Sequence, residues 1–281
     1  MKEIHVDKIV DAVEELCLTA AYDLGKDVED CIIASKEKEE SDFGKYIFDQ
    51  ILENIRYSRE ERLALCQDTG AAVFFIELGQ DVHIVGGSLK DAINEGVRRG
   101  YKNGYLRKSM VIDPVFNRKN TGDNTPAIIH IDVVPGDKLK IILMPKGGGS
   151  ENMGRLAMLK PSDGLAGVKK FIVDTVKIAG GNPCPPVVVG VGIGGTMEMT
   201  TLLAKKALGR KLGEPNPNPQ YAQLEKELLE EINNTGIGPQ GLGGRITALA
   251  VHIEYFPAHI TGLPVAVNLN CHASRHAEVV L

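Results

Sequence analysis

Three cysteines stand in turns beside polar residues, where a thiolate can be aimed. Cys66 lies in Leu-Cys-Gln-Asp-Thr-Gly ahead of an apolar run. Cys184 lies in Gly-Gly-Asn-Pro-Cys-Pro-Pro, and Cys271 in Asn-Leu-Asn-Cys-His-Ala-Ser-Arg-His at the end of another apolar run. They are far apart in sequence, so no CxxC spacing marks a zinc ribbon or a ferredoxin loop, and any shared centre has to be assembled by the fold. Two readings stand at this point: three separate structural cysteines, or one metal centre with three thiolate ligands. Three thiolates are one short of the four that hold an electron-transfer [4Fe–4S] cluster, which leaves one iron as an open Lewis-acid position for water or a substrate hydroxyl. Three ligands therefore point to hydration or dehydration chemistry, and four to electron transfer.

Acid–base candidates lie near the same cysteines. Asp68 is two residues past Cys66, with Gln67 between, and His259 falls in the connection between two apolar runs. A lone Asp in a turn also serves as an Asx cap, and a lone His is also an ordinary structural group. His272 and His276, close to Cys271, are placed to orient a metal ligand. Gly147-Gly148-Gly149-Ser150 can present backbone N–H groups to an anion or can be a plain turn; it lacks the residue order of a nucleotide-binding P-loop. Arg107 offers the two-pronged donor geometry that a carboxylate takes, and equally fits a surface arginine. Gly190, Gly192 and Gly195 match G-x-G-x-x-G, the rival sign of a dinucleotide site. The acidic residue expected about 20 positions later is missing, since Lys205–Gln220 is basic and then proline-rich. The expectation is that these glycines let backbone approach a bound group beside Cys184.

Positioning such residues takes a layered core, and the chain is large enough for one. It has 281 residues, 43% hydrophobic and 25% charged, with 31 glycines, five cysteines and no tryptophan. Net charge is −5, so no global basic field attracts nucleic acid or anionic lipid, and the scarcity of aromatics argues against a stacking platform for nucleic acid. No apolar stretch reaches the roughly 20 residues that span a bilayer, and the acidic start is no signal peptide, so no membrane partner is expected and the expected location is the cytoplasm. Residues 1–56 read as helix: Ile9, Val10, Val13, Leu16, Cys17, Ala20 and Leu24 recur on one face, as do Tyr46, Ile47, Ile51, Leu52 and Ile55. Cys17 and Cys31 fall in this region as packing residues. Lys36–Glu40 reads as a solvated charge run, and Gly213–Gln220, with three prolines, as a surface connector.

Farther on, strand-like runs at Ala71–Leu78, Ala127–Val134, Leu139–Met144, Val187–Ile193, Ile246–Tyr255 and Val265–Leu269 are interspersed with helical patterns at Ser88–Lys102, Leu165–Ala179, Met197–Leu208 and Tyr221–Asn233. The expected class is α/β (mixed α+β), with a helical N-terminal region, residues 1–56, packed on mixed β-sheets flanked by helices. Several strands run into Gly, Pro or Cys, and ligand sites favour such strand ends.

Cys66-Gln67-Asp68-Thr69-Gly70, Gly104-Tyr105-Leu106-Arg107, Lys146–Asn152, Asn182–Pro186, Gly190–Gly195 and Asn270-Cys271-His272 occur together in this order. The set resembles the class I fumarate hydratases, the iron–sulfur hydro-lyases that also include L-tartrate dehydratase. Over essentially the whole of residues 1–281 the chain is similar to the α subunit of the two-subunit form, the equivalent of the N-terminal domain in single-chain enzymes. The resemblance implies an oxygen-sensitive [4Fe–4S] cluster on Cys66, Cys184 and Cys271, with one open iron. It implies a small C4-dicarboxylate substrate contacted by Gln67, Asp68, Arg107 and Gly149. Asp68 would be a general acid, and His259 would line the site with a catalytic role. The implied reaction is reversible addition of water to fumarate, giving L-malate, a step of the tricarboxylic acid cycle, with tartrate dehydration as the alternative. In the resembled family the remaining substrate groups, including a proposed base, lie in a C-terminal domain that this sequence does not reach. A β subunit is therefore expected to complete the site, in an α2β2 assembly.

Overall fold

The computed structural model describes residues 2–281. Among the described residues, ten strands and eight α-helices form two compact units, one of Met1–Gly25, Ile55–Gly148 and Arg275–Leu281, the other of Lys26–Asn54 and Gly149–Ser274. This is the mixed α/β class that the alternation of helical and strand-like patterns predicts.

In the first unit the apolar stripe near the N-terminus becomes α1 (Val6–Tyr22), which buries Ile9, Val10, Val13, Leu16 and Cys17. It follows β1 (Lys2–His5), a short strand paired in parallel with β3 (Val82–Val85). α1 packs on α4 (Leu89–Asn103), which is capped by Ser88. The contact depends on Gly96 and Gly100: a Cβ at either would stand 2.6 Å from the Cβ of Val13 or Cys17. Beneath lies a four-stranded sheet ordered β10 (Ala277–Val280), β5 (Leu139–Lys146), β2 (Ala71–Gly79), β4 (Ile128–Val134). β2 pairs antiparallel with β5 and parallel with β4. Five successive β2 residues, Ala72 to Ile76, are buried, as a strand covered on both faces requires.

In the second unit the sheet order is β6 (Arg155–Leu159), β9 (Leu263–Asn270), β7 (Val187–Gly194), β8 (Ala248–Phe256). α2 (Lys26–Lys38) belongs here, with the first part of α3 (Asp42–Glu61), so the N-terminal helical region is shared between the units. β7 is central and buried throughout. It lies against α7 (Met197–Ala207), while α6 (Gly164–Ala179) and α8 (Pro219–Asn233) contribute Ile172, Val176, Leu228 and Ile232 to the core. The Gly213–Gln220 connector ends earlier than its prolines imply: Asn218 caps α8, and Pro219 takes the first helical position, where a missing N–H costs nothing.

The G-x-G-x-x-G run has a packing role. A Cβ on Gly190 would stand 2.2 Å from the Ala204 carbonyl oxygen, and one on Gly192 2.0 Å from that of Thr200. The close approach they permit is therefore that of α7, which covers the face expected to meet a bound group. The Lys36–Glu40 run also departs from expectation. Glu39 is 2% exposed, and its carboxylate accepts from the backbone N–H groups of Glu40, Ser41, Arg245 and Ile246 at 2.8–3.0 Å. Burial opposes its ionisation, but the backbone donors outweigh it and hold the carboxyl below the usual range.

Two predictions follow from this packing. Gly192→Ala should destabilise the chain by about 1–3 kcal/mol, because α7 must withdraw from β7; the midpoint of denaturant unfolding measures it. His252, 3% exposed on β8, has its pKa pushed down to about 4, chiefly by burial and further by the Arg210 charge. As pH falls from its ordinary 6.5 toward 4, the unfolded chain takes up a proton that the folded chain refuses. Stability is therefore full above that window and declines through it by about 3 kcal/mol; in His252→Gln this part of the decline should vanish.

Candidate functional site

The segment between α3 and β2 carries Cys66, Gln67 and Asp68 and has no helix or strand ladder. Its carbonyls are satisfied by buried side chains instead. The Tyr101 hydroxyl, from α4, donates to the Thr69 and Gly70 carbonyls at 2.9 Å each. The Asn124 amide donates to the Gly70 carbonyl at 3.1 Å, and Arg275 Nη2 to the Asp68 carbonyl at 2.7 Å. The Thr69 hydroxyl donates to the Arg107 carbonyl at 2.7 Å, tying in the segment that bears Arg107. Gly70 has φ +79°, and a Cβ there would meet the Lys146 nitrogen at 2.7 Å, so the turn into β2 requires glycine.

The Asp68 carboxylate accepts from the Gly70 N–H at 3.0 Å and the Gly148 N–H at 2.7 Å. The glycine run thus presents backbone N–H to an anion, and that anion is Asp68. Each oxygen keeps a second lone pair for a further partner. Cys66 is half-buried, with its sulfur 3.4 Å from Gln67 Oε1. Gln67 and Arg107 are exposed, and the Arg107 guanidinium makes no ion pair or hydrogen bond among the described residues.

In the other unit, Cys184 and Cys271 lie in loops tied directly together. The His272 backbone N–H donates to the Cys184 carbonyl at 3.3 Å, and His272 Nδ1 lies 3.1 Å from the same oxygen. Gln240 braces the pair: its backbone N–H and its Nε2 both donate to the Pro185 carbonyl, at 2.7 and 2.8 Å, and Nε2 is 3.1 Å from His272 Nδ1. Cys184 is exposed with φ +54°, a left-handed backbone that non-glycine residues adopt rarely and that clusters at functional sites. Gly149 is exposed, 3.5 Å from the Asn182 carbonyl when a Cβ is built on it. His259 lies exposed between β8 and β9. Its Nδ1 accepts from the Thr261 N–H at 3.2 Å, which puts the proton of the neutral ring on Nε2.

None of the five cysteines is in a disulfide. Burial, with the Glu14 charge adding to it, pushes the Cys17 thiol up to about 12, and burial raises Cys31, whose sulfur lies 3.7 Å from the Leu249 carbonyl. Both are held as neutral thiols. Cys66, Cys184 and Cys271 remain, half-buried or exposed, in loops at the entry or exit of strands. They belong to different units, Cys66 to the first and the other two to the second. Among the described residues, no group of three or more His, Cys, Asp or Glu side chains is gathered to hold a metal ion. As a donor set, three accessible thiols suit an iron–sulfur centre.

The sequence patterns passed over Tyr101, Asn124 and Gln240, which hold these loops. Gln240 was detectable in principle, since Gly238-Pro-Gln-Gly-Leu-Gly-Gly244 is dense in glycine and Gln240 itself has φ +54°. Tyr101→Phe should cost about 1–3 kcal/mol, by leaving the Thr69 carbonyl without its donor and the Gly70 carbonyl with Asn124 alone, and should speed amide exchange in residues 66–70; unfolding and hydrogen-exchange measurements check it.

The profile of the fumarate hydratase (Fumerase) family matches residues 10–280. A putative L(+)-tartrate dehydratase subunit alpha of Methanocaldococcus jannaschii is 44% identical over 277 residues, covering 96% of each chain. The L(+)-tartrate dehydratase subunit alpha of Escherichia coli O157:H7 is 35% identical over 283 residues, covering all of this chain and 93% of that one. The protein of the same name from Shigella boydii serotype 4 is 34% identical over 283 residues, with the same coverage. Among the described residues, no helix is long and apolar enough to cross a membrane.

Proposed function

The chain belongs to the fumarate hydratase family, and from that premise we propose that it is the α subunit of an iron–sulfur hydro-lyase that adds water to fumarate, or removes it from L-malate, together with a separate β subunit. One structural observation carries the reading: Cys184 and Cys271 lie in loops tied together and braced by His272 and Gln240, and Cys66 lies in a loop outside any helix or strand, whereas Cys17 and Cys31 sit in helices. Cys66, Cys184 and Cys271 would hold a [4Fe–4S] cluster. When bound, that cluster supplies an open Lewis-acid iron for the hydroxyl that is added or lost.

The chain's own residues do the rest. Arg107, exposed and unpaired among the described residues, takes a substrate carboxylate in two-pronged geometry. The Gln67 amide and the Gly149 N–H orient the acid. Asp68, fixed by the Gly70 and Gly148 N–H groups, uses a remaining lone pair to carry the proton that accompanies the hydroxyl. His259 presents Nε2–H as a donor. The C–H proton goes to a base on the β subunit, in an α2β2 assembly. Reduced thiols fit a reducing compartment, the cytoplasm, and fumarate hydration would place the enzyme in the tricarboxylic acid cycle.

A second reading keeps the chemistry and changes the acid. Relatives matched over 93–96% of their own length carry the name L(+)-tartrate dehydratase subunit alpha, one of them as putative, so L-tartrate is the competing substrate. The test is anaerobic co-expression with the partner subunit, followed by iron and sulfide analysis and a panel of fumarate, L-malate and L-tartrate. The expected result is about four irons per chain and water addition or loss only with the partner present. Cys184→Ser should lose most of the iron and all of the activity. Full iron content in that variant overturns the ligand assignment.

A further inference from the structure

Arg275 is the cation that packing explains least. It is 3% exposed, and its Nη2 donates to the Asp68 carbonyl at 2.7 Å. Its Nε and Nη1 are also buried and find no acceptor, and no carboxylate pairs with it among the described residues. Burying a guanidinium on these terms is costly, and a Leu or Met of similar size would fill the space with less desolvation. What hydrocarbon cannot do is donate to the Asp68 carbonyl. That carbonyl sits in a segment without ladder bonds, where Tyr101 and Asn124 secure the next two carbonyls and Arg275 secures this one. Tyr101, Asn124 and Arg275 are all buried, so three buried donors stand behind the loop.

We propose that Arg275 is a positioning residue for the Cys66–Gly70 loop: by clamping the Asp68 carbonyl, it sets the directions of the Cys66 thiol and the Asp68 carboxylate. The catalytic meaning of that positioning rests on the hydro-lyase reading; the clamp itself does not. A charge-assisted donor is stronger and more directional than a neutral one, which accounts for arginine at a position where its charge is otherwise uncompensated. The alternative is that Arg275 only fastens the start of the C-terminal segment, in which case the loop and its thiol would be indifferent to its loss.

The experiment uses the full chain without cluster, kept anaerobic, and measures alkylation of Cys66 by iodoacetamide, with Cys184 in the same chain as internal reference. Arg275→Met should raise the Cys66 rate about tenfold relative to Cys184, the size expected for losing one charge-assisted hydrogen bond. Arg275→Lys, which keeps a charged donor, should bring the rate most of the way back. If Arg275→Met does not fold, Arg275→Lys and Arg275→Gln decide: the rate must rise in the order parent, Lys, Gln. Unchanged Cys66 rates in folded variants overturn the proposal, and so does a parallel rise at Cys66 and Cys184, which signals general loosening. In the holoenzyme with its partner subunit, Arg275→Met should lower kcat about tenfold with KM little changed, and Arg275→Lys should recover most of that loss. A parent holoenzyme inactive on every dicarboxylate would remove the hydro-lyase reading, while the thiol rates would still decide the role of Arg275.

Discussion

A thiol offered from a loop has to be aimed without the ladder bonds that aim residues in helices and strands. Every buried carbonyl in such a loop needs a donor, and here side chains supply them. Around Cys66 they are Tyr101, Asn124 and Arg275; around Cys184 and Cys271 they are Gln240 and His272. The donors are themselves anchored in different ways. Tyr101 rides on α4, which α1 holds through the Gly96 and Gly100 contacts. Gln240 belongs to a glycine-rich loop whose far end is gripped by the buried carboxylate of Glu39. The cores are thus the support for two small polar networks, and those networks present the reactive groups.

Glycine is abundant for two separable reasons. At Gly70 and in the Gly238–Gly244 loop it permits left-handed backbone where the chain must turn beside a cysteine segment. At Gly96, Gly100, Gly190 and Gly192 it has ordinary backbone and permits helices to touch helices or strands. Only the first use concerns the site. A motif reading of Gly190–Gly195 conflates the two, because the same spacing that lets backbone reach a pyrophosphate also lets α7 reach β7.

The long elements were legible because periodicity reports burial: the runs at Ala71–Leu78, Leu139–Met144 and Val187–Ile193 became β2, β5 and β7 almost residue for residue. The strands that were missed, β1, β3, β6 and β10, have four or five residues and lie at sheet edges or in the two-stranded pair, where too few side chains are buried to leave a pattern. The three-and-two division of the cysteines rests on their neighbours in sequence: Cys17 and Cys31 fall within α1 and α2, and the other three lie outside helices and strands. Glu39 was misread because a charge run looks solvated whether or not its acid has found a nest of backbone N–H groups. Tyr101 and Asn124 were invisible for the same reason: they act on carbonyls distant in sequence, and only the fold supplies those.

The most direct test of a three-thiolate centre is Mössbauer spectroscopy of the anaerobically prepared chain with its partner subunit, before and after adding L-malate or L-tartrate. Three cysteine ligands predict that about one iron in four changes its signal when the dicarboxylate binds, while the others stay as they were. Four irons that all ignore both acids would mean that no iron is open, and would contradict hydro-lyase chemistry at Cys66, Cys184 and Cys271.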